Sequence, residues 1–250
     1  MRDPLGVGLG EADTHLRRER EALHAPDSTM ARMIRALLFD FDGTLVDSES
    51  VCLHAWEETY RSHGVELSFE RWRRGIGTLN GFDELAHLEE LLGQAVDRDA
   101  VDEEHRRREL ELLAQEPLRP GVQAYLDRAR ERGLAVAIVS TSGPEWIARG
   151  LEHLGCSDCW HCVISANGDP VRAKPAPTVY LEALGELAVE AAEAIAFEDS
   201  PNGVKAARAA GIFCVAVPND VTKRLDLSHA DLVVDSLEAL PLDTLLARLG

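Results

Sequence analysis

Lysine is nearly missing from this chain of 250 residues, which carries only Lys174, Lys205 and Lys223. Lysine and arginine together number 26 against 44 aspartates and glutamates, so the formal charge is −18 at neutral pH. Attraction to a phosphate polymer needs a basic face, and this balance argues against nucleic acid as a partner. No run approaches the roughly 18 consecutive apolar residues of a membrane span, and the first residues lack a basic segment leading into an apolar signal core. The expectation is a soluble, cytoplasmic protein with no membrane partner.

Cysteine is also sparse. Five in a chain of this length is an odd number without the density of a disulfide scaffold, which fits a reducing compartment. Three of them, Cys156, Cys159 and Cys162, crowd into "HLGCSDCWHC" beside His153 and His161. A zinc cluster is one reading. Thiol ligands usually come as two separated pairs, however, and Cys162 opens the apolar run "CVIS", so buried free thiols are the preferred reading.

What is present is an alternation. Residues 1–33 are polar and Gly-rich without apolar periodicity, and are read as a loosely ordered extension. From residue 34 onward short apolar runs predict strands at 34–39, 134–140, 162–165, 194–197, 212–217 and 231–234, with helical patterns near 121–132, 144–154, 177–187 and 201–210. Most of these runs are apolar on successive residues, as in parallel strands covered on both faces. The fold class is therefore α/β, a doubly wound parallel sheet with a Rossmann-like core over 34–46 and 119–250. About 90 residues separate the first two strands, far more than one crossover helix needs, so 47–118 are assigned to an inserted helical cap. That segment holds 8 arginines, no lysine and 18 acids, and its Arg-rich runs at 71–74 and 106–108 are read as solvated faces.

The chemistry-bearing residues sit at predicted strand ends. "LLFDFDGTLVDSES" places Asp40 and Asp42 just past the first strand, before Gly43 and Thr44. Like charges this close are costly to desolvate and call for a compensating cation. The second strand ends in Ser140-Thr141-Ser142-Gly143-Pro144 and the fourth leads into Glu198-Asp199-Ser200-Pro201-Asn202-Gly203. Lys174 lies in "RAKPAPT", where prolines stiffen the loop. Ligand sites of open parallel sheets lie beyond the carboxyl ends of the strands, so these segments should converge. Pro144 and Pro201 read as first-turn residues of helices whose amides face the same crevice. Hydroxyls, amides, a lysine and a carboxylate-held hard cation together make a phosphate site.

"DFDGT", the strand ending at Ser140, "KPAP" and "EDSPNG", with a helical insert directly after the first of them, resemble the haloacid dehalogenase superfamily in its β-phosphoglucomutase-like branch. The resemblance covers about residues 34–250. It implies Asp40 as nucleophile, Asp42 as general acid and base, and Ser140 and Lys174 as phosphate holders, with Gly43, Thr44, Thr141 and Ser142 around the substrate phosphate. It implies Mg²⁺ held by Asp40, Asp199 and the backbone carbonyl of Asp42, with Glu198 beside them.

Departures from relatives narrow the activity. Halide-removing members lack the aspartate supplied here by Asp42, and phosphonate-cleaving members use a cap lysine that 47–118 do not contain. Hexose-phosphate mutases carry a histidine where this chain has Cys52, and an arginine near the position of Thr78. The expected function is a Mg²⁺-dependent phosphatase hydrolysing a small phosphorylated metabolite, such as a sugar phosphate, through an aspartyl-phosphate. The alternatives are a hexose-phosphate mutase and a non-catalytic phospho-ligand binder. The last predicts loss of a catalytic aspartate, and both aspartates are present.

Overall fold

The computed structural model describes residues 33–76 and 81–250. The expected extension over 1–33 thus falls, except for its last residue, outside the described residues, as does Thr78. Six strands form one parallel sheet: β1 (Ala36–Phe39), β2 (Ala135–Ser140), β3 (Cys162–Ser165), β4 (Ala194–Glu198), β5 (Phe213–Ala216) and β6 (Leu232–Val233). Their order is β3-β2-β1-β4-β5-β6, so the chain reverses its direction of travel across the sheet beside β1. The crevice above that reversal is where the topology leaves room for a ligand.

Both faces of the sheet are covered, which is why the strands read as unbroken apolar runs. Along β1, Leu37 and Phe39 point into one apolar layer and Ala36 and Leu38 into the other. Helices α5 (Val122–Arg132), α6 (Pro144–His153) and α9 (Leu242–Leu249) supply the first layer, where Phe39 stacks on Phe197 with ring centroids 4.7 Å apart. Helices α7 (Thr178–Leu187) and α8 (Pro201–Ala209) supply the second. That layer is built from small side chains, Ala36, Ala137, Ala183, Ala196, Ala206 and Ala207, which let both helices approach the sheet closely. The helix α9 was not among the expected elements.

The three clustered cysteines divide between these layers. Cys156 is buried in the first layer with Cys159 packed against it, whereas Cys162 packs against the second.

Between β1 and β2 lie α1 (Ser48–Ser62), α2 (Phe69–Trp72), α3 (Glu84–Leu92) and α4 (Arg98–Leu113). Three of them begin with an aspartate whose carboxylate accepts a first-turn amide: Asp47 from Ser50, Asp83 from Ala86 and Asp97 from Ala100. Part of the acidity of this segment is therefore spent on helix caps. The four helices close around a third apolar cluster of Trp56, Tyr60, Trp72, Ile76, Leu88 and Val101, to which the loop after β5 adds Val221. The expected solvated arginines pair with surface acids: Arg71 with Glu90, Arg73 with Glu70, and Arg108 with Glu58.

His105 of α4 is buried and stacks on Trp56 at 3.8 Å between centroids. Burial lowers its pKa from 6.5 to about 4, against a smaller upward pull from Asp102. Because the folded value is the lower one, the unfolded chain binds the proton first as pH falls. The neutral ring's contribution is complete above pH 6.5 and is lost progressively below it. Lowering the pH from 6.5 to 5 should cost about 2 kcal/mol through this residue. His105→Phe keeps the stack and removes the titration, so its urea midpoint should fall less over that interval than the parent's. Equal losses in both proteins would assign the acid sensitivity elsewhere.

Candidate active site

Strand register builds the site. Phe39 lies opposite Phe197 and Ile138, so the next residue, Asp40, emerges beside Glu198 on one flank and just short of Ser140 on the other. The Asp40 amide donates to the Phe197 carbonyl at 3.0 Å, carrying the pairing one residue past the strand. Beyond it the chain turns back at Gly43, whose φ of +75° is open to glycine. A Cβ at Gly43 would collide with the Asp199 carboxylate, so the residue is required for close approach as well as for the turn.

A cavity of about 420 Å³ opens at this end of the sheet, under the helices between β1 and β2. Its floor is lined by Asp40, Asp42, Ser140, Thr141, Ser142, Lys174 and Asp199. Gly143 and Ser200, which precede Pro144 and Pro201 at the first turns of α6 and α8, line it too.

Lys174 ion-pairs with Asp40 and, at 2.7 Å, with Glu198, and all three are buried. The Tyr180 hydroxyl donates to the same Glu198 oxygen at 2.5 Å. Burial by itself would push the Lys174 ammonium down, but Asp40 and Glu198 outweigh it and hold it above its ordinary value. Asp40 and Asp199 are pushed up, first by burial and then by neighbouring carboxylates. Asp199 accepts from the Asn219 side-chain amide at 3.0 Å.

Asp40, Glu198 and Asp199 bring one oxygen each within 4.8 Å of one another. Three carboxylates against one ammonium leave two negative charges in a buried space, and the second Glu198 oxygen has no partner among the described residues. A hard divalent cation fits that all-oxygen donor set and its charge.

Asp42 is held separately. Its Oδ1 accepts from Ser48 at 2.9 Å and from the Trp146 indole at 2.8 Å, while Oδ2 accepts from Ser142 at 2.5 Å. The Ser48 oxygen also accepts the Gly43 amide at 3.1 Å. Two carboxylates two residues apart thus sit in different environments, one charged against a lysine and one ringed by neutral donors.

A second group, Cys52, His105 and Glu109, also brings three ligand atoms within 4.8 Å of one another, and two of its members, Cys52 and Glu109, line the cavity. There the Cys52 thiol donates to Glu109, and burial pushes the thiol up.

Of the residues singled out in the sequence, Asp40, Asp42, Ser140, Thr141, Ser142, Lys174 and Asp199 meet on one cavity wall. Thr44 does not join them. It is 1% exposed, and its hydroxyl faces inward without a partner among the described residues. Gly43 and Glu198 stand just behind the wall. Tyr180, Trp146, Asn219 and Arg119 were not singled out. The half-buried Arg119 guanidinium donates to the Gly43, Val217 and Pro218 carbonyls, joining the loop after β1 to the loop after β5.

The family model of the haloacid dehalogenase-like hydrolases matches residues 34–211. The chain belongs to that family. Among the relatives of this haloacid dehalogenase-like hydrolase is YhcW of Bacillus subtilis, 37% identical, with the match covering 87% of this chain and 99% of YhcW. Another is the validoxylamine A 7'-phosphate phosphatase of Streptomyces hygroscopicus subsp. limoneus, 32% identical over 82% of this chain and 95% of its own. The crystal structure of CbbY from Rhodobacter sphaeroides with xylulose-(1,5)bisphosphate superposes with a TM-score of 0.67 at 29% identity, covering 85% of this chain and 99% of CbbY. The haloacid dehalogenase-like hydrolase described here is a phosphatase of phosphoric monoesters. Among its described helices none is long and apolar enough to cross a membrane.

Proposed function

We propose that this phosphatase is Mg²⁺-dependent and hydrolyses a small phosphorylated metabolite, such as a sugar phosphate, through an aspartyl-phosphate on Asp40. The observation that carries the reading is the meeting of Asp40, Asp42, Ser140, Lys174 and Asp199 on one wall of a single cavity. The relatives' named ligands, validoxylamine A 7'-phosphate and xylulose-(1,5)bisphosphate, are small phosphorylated molecules and support the same class.

In this reading Asp40 attacks phosphorus, and the hydroxyls of Ser140, Thr141 and Ser142 with the α6 amides hold the phosphoryl oxygens. Lys174 offsets the repulsion between those oxygens and the carboxylate. Glu198 and Tyr180 fix the ammonium in place from behind. Asp42 protonates the departing alcohol oxygen and then takes a proton from the water that cleaves the aspartyl-phosphate. Its serine partners suit both steps, because a hydroxyl can donate to the carboxylate and accept from the acid. Mg²⁺, held by Asp40, Asp199 and the backbone carbonyl of Asp42 with Glu198 beside them, would supply charge neutralisation at the phosphoryl group. The helices over the cavity exclude bulk water. At position 52, where mutases of the family carry histidine, this chain has a thiol hydrogen-bonded to Glu109, which favours hydrolysis over phosphoryl return to a sugar.

Two experiments test the proposal. Excess EDTA should abolish release of phosphate from p-nitrophenyl phosphate, and added Mg²⁺ should restore it; turnover undiminished by EDTA would overturn the metal requirement. The second separates the aspartates. Asp40→Asn should form no phospho-enzyme. Asp42→Asn should lose about 10²–10⁴-fold in steady-state rate. Because p-nitrophenolate leaves with little protonation, the Asp42→Asn protein should also accumulate an Asp40 adduct detectable by acid-quenched mass spectrometry. Full activity in Asp40→Asn, or an adduct on Asp42 in the parent enzyme, would reverse the roles.

A further inference from the structure

The two ends of the active-site cavity differ in the groups they offer a substrate. The floor presents Lys174 and the Ser140–Gly143 turn to a phosphoryl group. The helices between β1 and β2 contribute Glu49, Cys52, Glu84 and Glu109 to the lining, together with Trp72 and Ile76. Lys174 is the one basic side chain among the described lining residues, and it is already engaged by Asp40 and Glu198. The chain positions that follow Ile76 and lie outside the described residues, 77–80, are Gly, Thr, Leu and Asn, none of them charged. Of the arginines beside Glu109 in sequence, Arg106 pairs with Asp102, Arg107 with Glu104 and Glu111, and Arg108 with Glu58 and Glu111; of those just before Gly75, Arg73 pairs with Glu70 and Arg74 is exposed.

Glu49 makes no hydrogen bond or ion pair with any described residue. Burial, then Asp42, Asp47 and Glu109, push its pKa up to about 8, so without a cation beside it the carboxyl is held mostly neutral at pH 7 and a further negative charge at this wall would be costly. Glu109 is likewise raised, first by burial, against smaller downward pulls from its Cys52 thiol donor and from Arg106, with His105 at 3.9 Å. A second phosphate or a carboxylate on the substrate would meet these carboxylates without a counter-charge. A cation would relieve their mutual repulsion.

We propose that the alcohol half of the substrate bears a basic amine among its hydroxyls and no second anionic group, the amine being received by Glu49 and Glu109. The assignment rests on the phosphatase reading of the cavity floor. It makes the enzyme selective for phosphorylated amino-alcohols, a class containing amino sugars and aminocyclitols, over bisphosphates and phosphorylated acids.

The test is a matched set of esters with Mg²⁺: 3-aminopropyl, 3-hydroxypropyl and 3-carboxypropyl phosphate, with p-nitrophenyl phosphate as the reporter of phosphoryl transfer itself. No hydrolysis of p-nitrophenyl phosphate would strike at the phosphatase reading and not at the charge preference. With that control active, kcat/KM should be at least tenfold higher for the amine than for the alcohol, and about 100-fold higher than for the carboxylate. Where turnover of the short esters is too slow to rank, their competitive inhibition constants against p-nitrophenyl phosphate should follow the same order. The double variant Glu49→Gln, Glu109→Gln should bring the amine-to-alcohol ratio close to one, and Glu109→Lys should favour the carboxylate ester. Equal handling of amine and alcohol, preference for the carboxylate, or a ratio unmoved by the variants overturns the proposal.

Discussion

Three carboxylates share a buried space with a single ammonium, and the working end of the molecule is arranged around that imbalance. Carboxylates so placed repel one another and lose hydration, a cost that no surface charge can relieve. The fold meets it in part from within: Lys174 lies between Asp40 and Glu198, Tyr180 donates to Glu198, and Asn219 donates to Asp199. The remainder calls for a cation. A glycine in the turn after β1 and another in the first turn of α8 follow from the same crowding, since a Cβ at Gly43 would strike Asp199 and one at Gly203 would strike Glu198. The parallel register of β1 with β4 is what brings these side chains together, and the apolar layers on both faces of the sheet hold that register.

Over the sheet, the acidity of the inserted helices is divided among distinct tasks. Asp47, Asp83 and Asp97 cap helices, Glu58 and Glu90 pair with arginines on the surface, and Glu49, Glu84 and Glu109 face the cavity. The overall charge of −18 therefore says little about the site until each carboxylate is placed. The third apolar cluster takes in Val221 from the loop after β5, and Arg224 of that region lies over the Phe69 ring at 4.4 Å. These contacts seat the helices directly above the strand ends.

The sheet was legible because strands buried on both faces must be apolar at every position, and five of the six expected runs contain the observed strand whole. The exception is β4, which runs one residue further, to Glu198. The floor of the cavity was legible because its residues fall at strand ends. What the sequence hid are residues whose roles come from three-dimensional neighbours. Tyr180 sits mid-turn on a helix, Trp146 two residues past a helix-starting proline, and Arg119 in a loop before α5; nothing local marks any of them as supports for Glu198, Asp42 or the Gly43 turn. Thr44 shows the converse, since adjacency to the motif suggested a substrate contact and the turn sends its hydroxyl inward. The helix α9 ends the chain with buried Leu242 and Leu245 and only eight residues of pattern, too short to stand out from its surroundings.

The account's central claim is that Asp40 is the atom-transfer centre, flanked by Lys174, Ser140 and a carboxylate-held cation. A crystal of the enzyme soaked with Mg²⁺ and beryllium fluoride tests it most directly, because trifluoroberyllate adds to carboxylates that accept phosphoryl groups. The account predicts trifluoroberyllate bonded to an Asp40 oxygen, its fluorines within hydrogen-bond reach of Lys174 and Ser140, and a metal ion touching Asp40 and Asp199. Trifluoroberyllate bonded to Asp42, or an ion bound only at the Cys52, His105 and Glu109 group with Asp40 unmodified, would contradict it.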